Sequence, residues 1–313
     1  MIQTLFVNSS EPHCGVHQYG KNLFAVLKGS KRIKFWYVEP SGYPELLSLA
    51  LKNRFDAMFW NWAPGIGGWM AGRYPFGFAV KNIAVYHDGH LDPSRFDAVL
   101  FSDPTMPSKG KWHSIGRPLP EWEWEPGDGP NPRRPAPWIG VNGFLGAWAP
   151  IAVRKILSDF KAAHIRLLLP AATYGDPTGA SAQVSAHQCR DLCAGKPDIS
   201  LEVCHDFLST YNLLRWLRLN DLNVYMRDLP PTWRGVSSVL DPALAARRPI
   251  AVNLCVAFRH VHGLNPSICA EHNSLPTILE NGTKPLEPLY KEWAPHRIRA
   301  QVEEVIAGFG LAA

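Results

Sequence analysis

The segment Arg234-Gly-Val-Ser-Ser-Val-Leu-Asp-Pro-Ala-Leu-Ala-Ala-Arg-Arg-Pro-Ile-Ala-Val252 joins a glycine-led turn to a short apolar helix and a buried strand. Unpaired N–H groups at a helix start attract anions, so the backbone of Gly235, Val236, Ser237 and Ser238, with the Arg234 guanidinium, suits a diphosphate. The Asp241 carboxylate can accept hydrogen bonds from ribose hydroxyls. Asp followed by Pro is also a favourable helix start, so capping is the competing role for Asp241. Val236, Val239, Leu240, Ala243 and Leu244 keep helical spacing across the proline, which predicts a helix beginning at 235–237. Further on, Arg259 in Phe258-Arg-His-Val261 suits a phosphate or a neighbouring carboxylate.

Three other segments carry groups of interest. Cys14-Gly-Val-His-Gln-Tyr-Gly-Lys-Asn-Leu23 follows the first apolar run. Glycine lets backbone approach a ligand, which makes Gly15 and Val16 candidates for main-chain contact; an ordinary tight turn is the alternative. Tyr86-His-Asp-Gly-His90 ends another apolar run, where loops of parallel sheets line ligand crevices. His87 titrates near neutrality when unperturbed and can assist at a sugar, with Asp88 beside it. Gly140-Val-Asn-Gly-Phe-Leu-Gly146 follows the first strand of the second half. There Gly143 and Gly146 could admit a diphosphate, with Arg154 or Lys155 to neutralise it. The Gly-x-Gly-x-x-Gly spacing of a dinucleotide fingerprint is absent. Trp60 and Trp62 bracket a strand end, where they could stack on an acceptor; core packing is the competing role.

The elements that must position these groups follow from periodicity. Apolar runs at 3–8, 33–38, 55–60, 82–86 and 98–101 read as strands, and helical spacing recurs at 19–27 and 44–51. Residues 118–137 hold too many prolines and glycines for either element and read as a hinge. Alternation then resumes, with strands at 138–141, 165–169, 201–204, 223–226 and 250–254. Helices are expected at 151–162, 181–194 and 210–219, in a segment ending near Arg247, and from Pro295 onward. Strand–helix alternation argues for α/β architecture with parallel sheets covered on both faces. The expected organisation is a first domain at 1–125, a linker at 126–137, a second domain at 138–290 and a terminal helix at 291–313.

Composition narrows the class. The 313 residues are 46% hydrophobic and 19% charged, which fits two packed domains rather than a disordered chain. A net charge of +5 suits an anionic ligand and falls short of a nucleic-acid surface. Cys14, Cys189, Cys193, Cys204, Cys255 and Cys269 form no zinc pattern and read as reduced packing residues. With no signal-like leader and no apolar run long enough to span a bilayer, the expected location is cytoplasmic.

Residues 15–23, 87–88 and 234–252 together resemble GT-B glycosyltransferases, in particular the retaining nucleotide-sugar family with a Glu-x7-Glu signature. Asp241 matches the second glutamate of that signature, and Trp233 stands where the first would fall. The resemblance implies two Rossmann-like doubly wound domains facing a cleft. It implies a nucleotide-sugar donor on the second domain, bound through Gly15, Val16, Gly143, Arg154, 234–238, Asp241 and Arg259. His87 and Asp88 would be catalytic, and Trp60 and Trp62 would meet the acceptor. A terminal helix crossing back to the first domain and retention of anomeric configuration also follow from it. No Asp-x-Asp pair is present, so no metal or other cofactor is expected. The acceptor is open among a saccharide, a lipid-linked sugar, a small metabolite and a modified nucleic-acid base. Two alternatives stand beside transfer: a degenerate nucleotide-binding module of the same fold, and a nucleotide-sugar epimerase.

Overall fold

The structure, a computed structural model, describes residues 1–61, 80–87, 92–124, 129–130, 134–144, 146–172, 175–233 and 235–311. It divides into two compact units. The first comprises Met1–Leu119, Arg234–Val236 and Lys291–Ala313, and the second Pro120–Trp233 and Ser237–Tyr290.

The first unit is built on strands β1 (Ile2–Val7), β2 (Ile33–Val38), β3 (Ala57–Asn61), β4 (Lys81–Tyr86), β5 (Ala98–Phe101) and β6 (Trp112–Ser114), with helices α1 (Gly15–Leu27) and α2 (Tyr43–Lys52). All pairings are parallel, in the order β2-β1-β3-β4-β5-β6. Alternate strand residues serve opposite faces. Leu5, Val7, Met58, Trp60 and Ala84 pack with Leu46 of α2 on one side. On the other, Phe6 stacks on Phe59 at 5.0 Å and meets Phe24 of α1 at 5.8 Å.

The second unit contains β7 (Trp138–Asn142), α3 (Ala149–Asp159), β8 (Ala163–Leu168), α4 (Ala180–Cys193), β9 (Ile199–Cys204), α5 (Thr210–Arg218), β10 (Leu222–Tyr225), α6 (Leu240–Ala245), β11 (Ile250–Val252), α7 (Leu275–Asn281) and α8 (Glu287–Glu292). Its five strands are again all parallel, in the order β11-β10-β7-β8-β9. Ile165 and Leu167 of β8 join Val153, Ile156, Ala182 and Leu275 in one core. Leu168, one residue on, packs with Trp216 and Leu217 of α5 in another. Each such fully buried aliphatic side chain contributes about 1.5–3 kcal/mol.

The terminal helix α9 (Pro295–Ala307) belongs to the first unit and buries Ile298, Val302 and Ile306. Arg299 Nε donates to the Val26 carbonyl at 2.9 Å, and Ser30 Oγ donates to Glu303 at 2.6 Å.

Three expectations change. α3 stops at Asp159 instead of 162, because Phe160 turns extended and Asp159 Oδ2 accepts the Leu275 N–H at 2.8 Å. The helix expected from 235–237 starts only at Leu240. Pro242 has no N–H to donate and is tolerated only in a first turn, so the helical spacing upstream was coincidental. The elements β6, α7 and α8 carry too few residues for a periodic pattern to announce them.

Candidate functional site

In each sheet the strand order reverses direction once, and at such a switch point the loops leaving the strands diverge and open a crevice at their carboxyl ends. In the first unit the switch lies between β1 and β3, and in the second between β10 and β7.

The first unit's switch point holds a chain of buried amides. Asn8 directly follows β1 and Asn61 ends β3; both are fully buried. Asn61 Nδ2 donates to Asn8 Oδ1 and to the Val16 carbonyl, each at 2.7 Å. Asn8 Nδ2 donates to the His17 carbonyl at 3.1 Å and to the Tyr37 hydroxyl at 2.8 Å. Tyr37 in turn donates to Glu39, which also takes His17 Nε2 at 2.9 Å. Against the cost of desolvation, the Tyr37 hydroxyl and His17 hold the Glu39 carboxyl below its usual range. Burial and this anionic neighbour push the Tyr37 hydroxyl well up.

His87, immediately after β4, meets the amide chain through its Nε2, 2.8 Å from Asn61 Oδ1. Its ring stands edge-on to Tyr19 at 4.8 Å, and the buried Arg117 guanidinium lies 4.9 Å from that tyrosine ring. Burial, then the nearby Arg117 charge, lower the His87 pKa to about 3, so the ring is neutral at physiological pH. Gly15 and Val16 form the first turn of α1, whose N-cap Cys14 makes no side-chain cap. The network therefore joins Val16 to His87 through Asn61. Asp88 and Trp62 lie outside the described residues. Trp60 is corrected from acceptor contact to core: it is 0% exposed, and its indole N–H is taken by Asn82 at 3.0 Å. A side chain sealed in the core between the sheet and α2 cannot stack on a ligand.

The second unit's switch point is a narrow crevice, with about 20 Å³ of open space, lined by Asn142, Gly143, Gly146, Trp148, Tyr225, Arg227 and Val239 among others. Gly146 has φ +66°, and a Cβ there would sit 3.0 Å from Ala182 of α4, so only glycine fits this turn. Tyr225 donates to Asn142 Oδ1 at 2.6 Å. Among the described residues the buried Trp148 Nε1 has no hydrogen-bond partner, and buried donors are seldom left so.

Arg227 also lines a neighbouring cavity of about 490 Å³, with Asn253, Cys255, Arg259, His262 and Glu271. That volume is in the range of small-molecule sites. Asn253 clamps the Arg227 backbone from both sides, accepting its N–H at 3.0 Å and donating to its carbonyl at 2.7 Å. Among the described residues no carboxylate pairs with the Arg227 guanidinium. Burial without a counter-charge lowers its pKa to about 10, still fully protonated near neutrality.

The other expected residues are dispersed. Arg259 shares the larger cavity, and its Nη1 donates to the Val256 carbonyl at 2.9 Å. Arg154 is exposed on α3, with its charge felt by Cys189 of α4, and Lys155 pairs with Asp159 at 2.9 Å. Arg234 lies outside the described residues, while Gly235 is buried and Val236 half-buried. The Ser237 N–H goes to the Ala257 carbonyl at 2.9 Å, and Ser238 O accepts the Asp241 N–H at 3.1 Å. Asp241 sits in the first turn of α6, only 2% exposed; Val239 is the N-cap, so the capping role does not fall to Asp241. Sequence reasoning passed over Asn8, Asn61, Arg227 and Asn253. Each is a polar residue that ends an apolar strand or follows it within two residues, and that position is the signal that could have found them. Among the described residues no three His, Cys, Asp or Glu side chains converge as a metal requires, and no helix is long and apolar enough to cross a membrane.

No family model matches the chain, and no curated protein does. Solved structures do. HepE of Anabaena, determined in complex with UDP-glucose, superposes with a TM-score of 0.67 at 11% identity, over 98% of this chain and all of that one. AviGT4, a glycosyltransferase involved in avilamycin A biosynthesis, gives 0.60 at 10% identity, over 100% and 99% of the two chains. The UDP-forming α,α-trehalose-phosphate synthase of Burkholderia vietnamiensis gives 0.52 at 9%, over 97% and 96%. At such identities the likeness establishes architecture: the chain has the GT-B fold, made of two Rossmann-like α/β domains.

Proposed function

We propose that this protein is a glycosyltransferase that moves a sugar from a nucleoside-diphosphate donor to an acceptor hydroxyl. The observation that carries the reading is Arg227, a half-buried guanidinium with no carboxylate partner among the described residues, held by Asn253 where the second sheet's order reverses. A desolvated cation of this kind binds a diphosphate strongly, because ligand oxygens replace water it has already lost. The Trp148 indole N–H supplies a neutral donor in the crevice that Gly143 and Gly146 also line, and Arg259 and His262 line the adjoining cavity for the rest of the donor. The solved structures with UDP-sugars in their names support a nucleotide-sugar donor for this chain as well.

In this reading the second unit carries the donor and the first unit the acceptor. The leaving diphosphate is stabilised by positioned cations and N–H groups, with no metal needed. His87 acts at the sugar. Retention of configuration, which the resemblance implies, is part of the same proposal.

The test is to incubate the protein with UDP-, GDP- and ADP-sugars, with EDTA present, and follow nucleotide release and thermal stability. A bound donor raises the melting temperature by mass action. Stabilisation with release, and product of one anomer by NMR, supports a transferase. Stabilisation without release at any donor supports the binding module instead, a reading favoured by the exposed Trp233 in place of a signature glutamate. Neither effect with any donor ends the proposal.

A further inference from the structure

The amide chain of the first unit fixes more than packing. Val16 and His17 present main-chain carbonyls, which can only accept. Both Asn61 and Asn8 must therefore aim their NH2 groups at α1, which settles the orientation of each amide. Asn61 Nδ2 also donates to Asn8 Oδ1, so only the oxygen of Asn61 remains for His87. An amide oxygen donates nothing, and His87 Nε2 at 2.8 Å must carry the proton. In a neutral imidazole the other nitrogen, Nδ1, then holds a lone pair. Among the described residues nothing bonds to Nδ1.

The fold gives up helix stability for this arrangement. Gly20 sits in the middle of α1, where glycine costs about 1 kcal/mol relative to alanine. A Cβ at that position would lie 2.1 Å from Asn8 Oδ1 and 2.4 Å from Asn61 Nδ2. The helix is hollowed to admit the amide pair.

We infer that Asn61, oriented by Asn8, is a positioning residue that locks His87 in its Nε2–H form, so that Nδ1 accepts a hydrogen bond from a substrate hydroxyl. The role of His87 in this inference rests on the transferase reading. His87 is then a hydrogen-bond acceptor rather than a donor to the departing diphosphate. Among the described residues, the other groups seen against its ring are Tyr19 from α1, in a perpendicular ring contact, and the Arg117 cation from the segment after β6.

The tautomer can be read without any turnover. In protein labelled with 15N-histidine, with His87 assigned by comparison with His87→Gln, long-range proton–nitrogen correlation should show His87 protonated at Nε2 alone between pH 5 and 8. Asn61→Ala should give mixed tautomers. With a turned-over donor in hand, Asn61→Ala should lower kcat roughly ten- to a hundredfold with KM little changed, a part of what a positioned acid–base group supplies. A wild-type His87 protonated at Nδ1 overturns the inference even if Asn61→Ala fails to fold. So does an unchanged tautomer in a folded Asn61→Ala. Absence of any donor turnover would instead sink the transferase reading and leave the NMR result standing.

Discussion

Two buried asparagine pairs, one per unit, are built by the same device and finish differently. In the first unit Asn8 and Asn61 meet over Gly20 at the carboxyl ends of β1 and β3. In the second, Asn220 donates to Asn223 at 2.8 Å at the amino end of β10, over Gly140 of β7, whose Cβ would lie 2.0 Å from Asn220 Nδ2. The second pair is closed. Arg166 donates to Asn220 Oδ1 at 2.8 Å, and Asn223 donates to the Leu217 carbonyl at 3.2 Å. Arg166 itself lies 4.9 and 4.8 Å from the Trp138 and Trp216 rings and pairs with Glu202. The first pair is open, ending on a histidine nitrogen with no partner among the described residues. Arginines repeat the contrast: Arg166 donates to Glu202, to the Trp216 carbonyl and to Asn220, whereas among the described residues no carboxylate pairs with the Arg227 guanidinium, past the carboxyl end of β10. Among the described residues the cluster at the amino end of β10 is closed by protein groups, whereas His87 and Arg227, past the carboxyl ends of β4 and β10, are the groups the proposed function assigns to a ligand.

The sharpest way to break this contrast is Gly140→Ala, where backbone on the sheet cannot move away from Asn220. It should lose about 3 kcal/mol of unfolding free energy in urea, an overpacking cost, with nucleotide affinity of the folded protein unchanged. Paired arginine variants come next. Arg166→Met should lose about 2 kcal/mol by leaving Asn220 without its donor and keep nucleotide affinity. Arg227→Met should change stability by no more than about 0.5 kcal/mol, while nucleotide binding weakens at least tenfold. Equal effects of the two on stability would erase the distinction. Gly20→Ala should lose only about 1 kcal/mol, since alanine's helical preference offsets part of the clash, yet should disturb the His87 tautomer. A separate effect concerns pH. His87 binds protons more weakly folded (pKa about 3) than unfolded (ordinary value 6.5), so the unfolded chain takes up more protons between those values. Its contribution to stability is complete above pH 6.5 and is lost as the pH falls toward 3; His87→Gln should flatten this part of the stability curve.

Much of the scaffold could be read from the chain because strands covered on both faces are nearly continuous apolar runs. The strands at Ile33–Val38 and Ala98–Phe101 fall where the pattern puts them. The start of α6 was misread because apolar residues at 236, 239 and 240 mimic a helical face, while the constraint that decides the matter is the missing N–H of Pro242. His87 was visible as a titratable residue at a strand end. Its tautomer was not, because that depends on Asn8 and Asn61, residues 79 and 26 positions away that only the sheet order brings together. Trp60 illustrates the converse: an aromatic residue at a strand end advertises a ligand, but only packing decides which side of the sheet it faces.

In the proposed function, the carboxyl-end switch point of the second unit grips a nucleoside diphosphate through Arg227. Isothermal titration of the wild type and Arg227→Met with UDP, GDP and ADP tests it directly. Saturable binding of at least one nucleotide by the wild type, weakened tenfold or more in the variant at unchanged melting temperature, is the predicted result. Equal affinity in the two proteins, or no binding of any nucleotide to the wild type, would contradict it.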